Sequence, residues 1–99
     1  MAWGYKHYHP YQYGAATSSW YEEIDHYNWD DPGFSYGTGH FTQIVWKNTE
    51  KVGFGIAQRY DAPWLRTWVV ANYDPPGNFV RRRNGKVIDG YEQNVLPLI

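Results

Sequence analysis

The sequence predicts a single α+β domain, with helices first and a short sheet after them. Three observations carry that prediction. Apolar residues recur at helical spacing twice between residues 18 and 47. Beyond residue 51 the pattern changes to alternation and then to a run rich in β-formers. Finally, 99 residues with 42% hydrophobic and 19% charged content allow one core, and are too apolar for a disordered tail.

The elements follow in order. Residues 1–17 are rich in Tyr, His and Gly without a clean period, and are expected to be a loop-rich start. A helical part then covers 18–47. Ser18 and Ser19 offer an N-cap for a helix over Trp20–Asn28, where Trp20, Ile24 and Tyr27 form one stripe. Asp30-Asp31-Pro32-Gly33 ends it. A turn-rich linker, Phe34–Gly39, leads to a second short helix over about His40–Trp46, with Phe41, Ile44 and Val45 inward. Residues 51–99 form the sheet part and tail. Val52, Phe54 and Ile56 alternate with Gly53, Gly55 and Ala57, which reads as a strand with a neighbour packed closely on its glycine face. Asp61-Ala62-Pro63 turns the chain, and Thr67–Tyr73 reads as a central strand. Asp74–Asn78 stops that strand, Asn84-Gly85 is a hairpin turn, and the closing NVLPLI is apolar enough to pack back on the body.

Composition removes several function classes. There is no apolar run of about 18 residues, so the pattern of a membrane-spanning helix is missing. The opening MAWGYKHYHPYQY lacks the apolar core of a signal peptide. A net charge of −1 argues against a nucleic-acid partner. The charge is uneven: residues 1–50 carry 2 Lys/Arg against 6 Asp/Glu, and residues 51–99 carry 7 against 4. Without cysteine there is no disulfide, thiolate zinc site or cysteine nucleophile. No glycosylation sequon occurs, and with the missing cysteines this leans towards an intracellular or unprocessed protein.

Few residues suggest chemistry. Glu23 shares the stripe of Trp20 and Tyr27, and a carboxylate on a buried face needs a partner. It is either a boundary residue that snorkels or salt-bridges, or a ligand acting together with His40. His40 opens a helix after Gly37-Thr38-Gly39, where it is structural, a proton carrier or a metal ligand. Glu23 and His40 together would give zinc two ligands, one short of a catalytic site. His7 and His9 alternate among tyrosines, as a solvated loop or a surface metal pair. Arg81-Arg82-Arg83 is a solvated edge or a seat for anionic head groups. No P-loop, nucleophile elbow, HExxH or CxxC motif is present, so no catalytic residue is assigned.

Three stretches carry a family resemblance. Gly39-His40-Phe41-Thr42-Gln43-Ile44-Val45-Trp46-Lys47-Asn48-Thr49 and Val69-Val70-Ala71-Asn72-Tyr73-Asp74-Pro75-Pro76-Gly77-Asn78-Phe79 resemble the two signatures of the CAP superfamily. That superfamily comprises cysteine-rich secretory proteins, antigen 5 and pathogenesis-related 1. Trp20-Tyr21-Glu22-Glu23 is similar to its W-x-x-E helix motif. Pro32-Gly33-Phe34, the Gly37–Thr42 run and Glu92–Pro97 resemble the Golgi-associated pathogenesis-related branch.

The resemblance implies a CAP-type α-β-α sandwich, here lacking the N-terminal helix of the full domain. It also implies a cleft of two His and two Glu, of which Glu23 and His40 are carried over. The family's other cleft His and Glu have no counterpart, because the chain starts at Ala2-Trp3, where the motif that supplies the second Glu ends. Phe54 and Ala71 stand where secreted members place a disulfide. The chain is therefore expected to be a partial domain, with a partner such as a second copy covering the gap.

The function expected is non-enzymatic binding of a lipid or membrane surface, with Arg81, Arg82 and Arg83 meeting anionic head groups and homodimer formation. No cofactor is required, and zinc would enter only a complete cleft. The alternatives are a metal-dependent hydrolase or protease in a longer parent, and an immune or signalling interaction module using Tyr5–Tyr13 and Trp64. The branch resemblance and the missing disulfide favour the cytosolic face of the Golgi or of another membrane. The superfamily's usual setting is extracellular.

Overall fold

A computed structural model describes residues 1–7 and 14–98, with side chains for all of these except 5–7. Ala2–His7 is a strand, β1, and corrects the expectation of loop over residues 1–17. Its alternation of Trp3 and Tyr5 with Gly4 and Lys6 was hidden by the Tyr- and His-rich surroundings. Lys51–Asp61 (β2) and Trp64–Asp74 (β3) form a hairpin closed by Ala62-Pro63. The sheet order is β1-β3-β2, antiparallel throughout, so β3 is central as expected.

The first helix, α1 (Ala15–Tyr21), begins earlier than the sequence suggests. Gly14, at φ 87°, sits at its N-cap, while Ser18 and Ser19 lie exposed within the helix. Two alanines, strong helix formers, start the turn that the serines were expected to cap. The chain then tightens into a 3-10 segment, Glu22–His26. After the linker comes α2 (Gly39–Ile44). Arg81–Arg83 (β4) and Lys86–Asp89 (β5) pair across Asn84-Gly85, both at positive φ, as a two-residue hairpin turn requires. One last helical turn, α3 (Tyr91–Asn94), follows. Val95 beyond it is buried, but Leu96 and Leu98 are exposed, so the tail packs back only in part.

Two apolar clusters meet at α2. Ala16 and Trp20 pack on Val69 and Ala71 of the sheet, with Ile44 alongside. Tyr27, Phe41, Trp46, Tyr91 and Val95 form the second cluster, supported by Val45. The helices therefore cover the sheet face that carries Val69 and Ala71. On the opposite face Trp68 and Val70 are 41% and 44% exposed. A Cβ added at Gly53 or Gly55 would meet nothing within 4 Å, which corrects the expected close packing on the glycine face. Among the described residues the sandwich has two of its three layers. Phe54 and Ala71 are direct partners in the β2–β3 register.

Candidate functional site

Glu23 leaves the 3-10 segment directly towards the start of α2. Its Oε1 accepts the backbone N–H of His40 at 3.0 Å and of Phe41 at 3.1 Å. Its Oε2 lies 2.9 Å from His40 Nδ1. One carboxylate thus satisfies two first-turn amides of α2 and fixes the imidazole. Trp20, one turn before Glu23, stacks on the His40 ring with centroids 5.7 Å apart and planes 20° apart. The structure brings together the two residues carried over by resemblance.

This arrangement takes the place of a cap from within the segment itself. Thr38 occupies the N-cap position of α2, yet its buried hydroxyl has no hydrogen-bond partner. The amides it would serve already belong to Glu23.

An imidazole oriented through Nδ1 by a carboxylate is a sound proton carrier, with Nε2 left to act. It is a poor start for a metal site. Both Glu23 oxygens and His40 Nδ1 are engaged, so the pair has one ring nitrogen to offer. Zinc does not fit these two residues alone. Among the described residues no three His, Cys, Asp or Glu side chains gather to hold a metal. The side chains of His7 and His9, and the Tyr5–Tyr13 aromatics, lie outside the described residues.

Sequence reasoning missed a second constellation beside the first. Thr42 and Gln43 are buried although polar, because they hold the loop after β3. Thr42 Oγ1 donates to Asn78 Oδ1 at 2.6 Å, and Asn78 Nδ2 donates to Gly39 O at 2.7 Å. Gly77 N–H donates to Gln43 Oε1 at 2.8 Å, while Gln43 Nε2 reaches Thr49, whose hydroxyl donates to Pro75 O. Asn94 locks the other end: its Oδ1 accepts Asn48 N–H, and its carbonyl accepts Lys47 N–H. The two signature segments are thus one hydrogen-bonded unit. The available signal was amide and hydroxyl residues at inward helix positions, which an apolar-periodicity search passes over.

Arg81, Arg82 and Arg83 sit apart from the Glu23–His40 pair, on the exposed β4 strand. Arg81 lies over the Phe79 ring, 5.3 Å from its centroid. Arg82 and Val87 share the wall of a shallow cavity of about 220 Å³ with Val80, Tyr91 and Glu92. Lys86 adds a fourth exposed cation, and Val80, Val87 and Ile88 are exposed beside it. Trp64 is half-buried at the far end of the β2–β3 hairpin.

Comparison with known proteins places these features. The profile of the cysteine-rich secretory protein family, CAP, matches residues 2–73. Golgi-associated plant pathogenesis-related protein 1 of Homo sapiens is 49% identical over 82 residues, covering 83% of this chain and 47% of that protein. Salivary antigen-5 of Dipetalogaster maximus is 46% identical over 63 residues, which are 64% of this chain and 25% of that protein. Protein PRY2 of Saccharomyces cerevisiae is 39% identical over 88 residues, 87% of this chain and 24% of that protein. The chain spans about half, or less, of the length of these relatives.

Proposed function

The chain belongs to the cysteine-rich secretory protein (CAP) family, and from that premise we propose that it is a non-enzymatic, dimer-forming module that binds anionic membrane surfaces. The observation that carries this reading is the β4–β5 hairpin. Arg81, Arg82, Arg83 and Lys86 stand exposed together with Val80, Val87 and Ile88. Cations mixed with exposed aliphatic side chains suit the boundary between head groups and acyl chains. The name of the human relative associates that protein with the Golgi, and an internal membrane facing the cytosol is the surface proposed here.

Glu23 and His40 support the non-enzymatic part. The carboxylate is taken up in holding α2 and the imidazole, which leaves no second acid–base group in the pair. Their role in this reading is to position the α2 segment.

Vesicle flotation tests it. The chain should float with vesicles containing phosphatidylserine and remain in solution with phosphatidylcholine alone. Each basic residue near such a surface contributes about 1 kcal/mol, so Arg82→Glu with Arg83→Glu should weaken binding at least tenfold. Equal flotation with neutral and anionic vesicles would overturn the membrane reading.

A further inference from the structure

The edge of β2 is long and open. Among the described residues β2 pairs only with β3, and ten of its eleven residues are exposed. Natural edges are commonly protected by proline, a bulge or central charge. β2 has no proline, its register with β3 is unbroken, and Val52–Gln58 carries no charge.

The backbone phase of that edge follows from the hydrogen bonds on the other side of the sheet. Met1 and Ala71 exchange both bonds, at 2.7 and 2.8 Å, so Ala71 turns its N–H and C=O towards β1. By alternation Val70 and Asn72 turn theirs towards β2, where Gly55 and Gly53 face them. Val52, Phe54, Ile56, Gln58 and Tyr60 therefore direct their N–H and C=O groups outward.

We infer that this edge is the dimer surface, and that its partner is β2 of a second copy, antiparallel, with Ile56 opposite Ile56. The inference rests on the dimer part of the proposed function and supplies its location. Self-complementarity selects the second copy. With Ile56 on the twofold axis, outward residues meet outward residues: Val52 faces Tyr60 and Phe54 faces Gln58. Each such pair exchanges two hydrogen bonds. At both ends Lys51 faces Asp61, and Arg59 lies opposite Gly53, which leaves it room. The two neighbouring in-phase registers are worse. One sets Lys51 against Arg59. The other sets Asp61 against Gly53 and leaves Lys51 opposite no strand residue. Three strands would become a continuous six-stranded sheet, and Phe54 and Ile56, 53% and 47% exposed, would gain cross-strand neighbours.

Charge swapping at the axis tests the register. By sedimentation equilibrium the unmodified chain should weigh about twice its 11.7 kDa. Ile56→Lys and Ile56→Glu should each sediment as monomers, since each sets like charges face to face. Their equimolar mixture should return to the doubled mass. A second measurement needs no variant. Amide exchange at Val52, Phe54, Ile56, Gln58 and Tyr60 should slow with rising concentration, and the intervening amides should not respond. Variants that stay dimeric, with no alternate protection, would overturn this surface while leaving dimer formation at another one. A mixture that stays monomeric would overturn the register. A monomeric unmodified chain would overturn this inference and the dimer reading together, leaving membrane binding to the flotation assay.

Discussion

Glu23 caps a helix to which it does not belong, and the ring of His40 is held by the same carboxylate that holds the His40 amide. Removing the carboxylate strands two amides and frees the imidazole. Hydrogen bonds to charged groups contribute about 1.5–3 kcal/mol. Glu23→Ala is expected to lower stability by about 2–3 kcal/mol in urea unfolding, and Glu23→Gln by less, because one acceptor oxygen survives. Thr38→Val should cost under about 0.5 kcal/mol, well below the usual loss of an N-cap. A large loss at Thr38 with none at Glu23 would reverse this assignment.

Phe54 and Ala71 offer a cross-link to a chain without cysteine. Ala71 directs its backbone groups to β1, so its pairing with Phe54 is the closely spaced, non-hydrogen-bonded kind. Phe54→Cys with Ala71→Cys should oxidise to a disulfide in air. Closing a loop of roughly this size should stabilise the chain by about 3 kcal/mol, read as a higher melting temperature that falls on reduction. Persistently free thiols in a thiol titration would contradict the register.

Two kinds of glycine separate cleanly. At Gly77 an added Cβ would come 2.7 Å from the Trp46 ring and 2.9 Å from Gln43 Nε2. Gly77→Ala should cost about 1–3 kcal/mol by overpacking. At Gly53 the same carbon meets open space, and glycine inside a strand is itself unfavourable. Gly53→Thr should therefore raise stability, by up to about 1 kcal/mol. Thermal denaturation of the two variants should show shifts of opposite sign.

Alkaline pH should loosen both clusters, through Tyr27 and Tyr91 in the second and Tyr73 beside the first. Burial raises the pKa of Tyr27, Tyr73 and Tyr91 above the ordinary value of 10.0; Asp31 and Glu92 add to the effect at Tyr27, and Tyr27 adds to it at Tyr91. The folded chain holds these protons more tightly than the unfolded chain does. Their stabilising effect is complete below pH 10 and is lost as pH rises through the folded-state values. Urea midpoints should be flat between about pH 8 and 9 and fall beyond 10, less steeply in Tyr91→Phe.

Much of this architecture is legible in the residues. The β-former run of Thr67–Tyr73 and the Asn84-Gly85 turn have local causes, and these survive folding. The single Trp20–Tyr27 stripe does not: the α-helix ends at Tyr21, Trp20 packs on the sheet, and Ile24 and Tyr27 join the second cluster. What stays hidden depends on partners distant in sequence. β1 needs β3 to be recognised as a strand, because six residues with Gly4 among them make no signal of their own. The inward Thr42 and Gln43 make sense only once residues 75–78 are beside them. The resemblance finds Glu23 and His40, but it does not reveal that the carboxylate replaces Thr38 as a helix cap. The bare face at Gly53 and Gly55 runs against the local reading, since glycine alternation looks the same whether or not anything lies on it.

The bond from Gly77 N–H to Gln43 Oε1 gives one backbone proton an unusual reporting range. Gly77 belongs to no strand or helix, so side-chain docking 34 residues away is what shields it from solvent. Its exchange lifetime would follow α2 leaving or rejoining the sheet, without a dye, a tag or a substitution. A single resonance could then show whether a ligand, a membrane or a second chain tightens the contact between the two halves of the molecule.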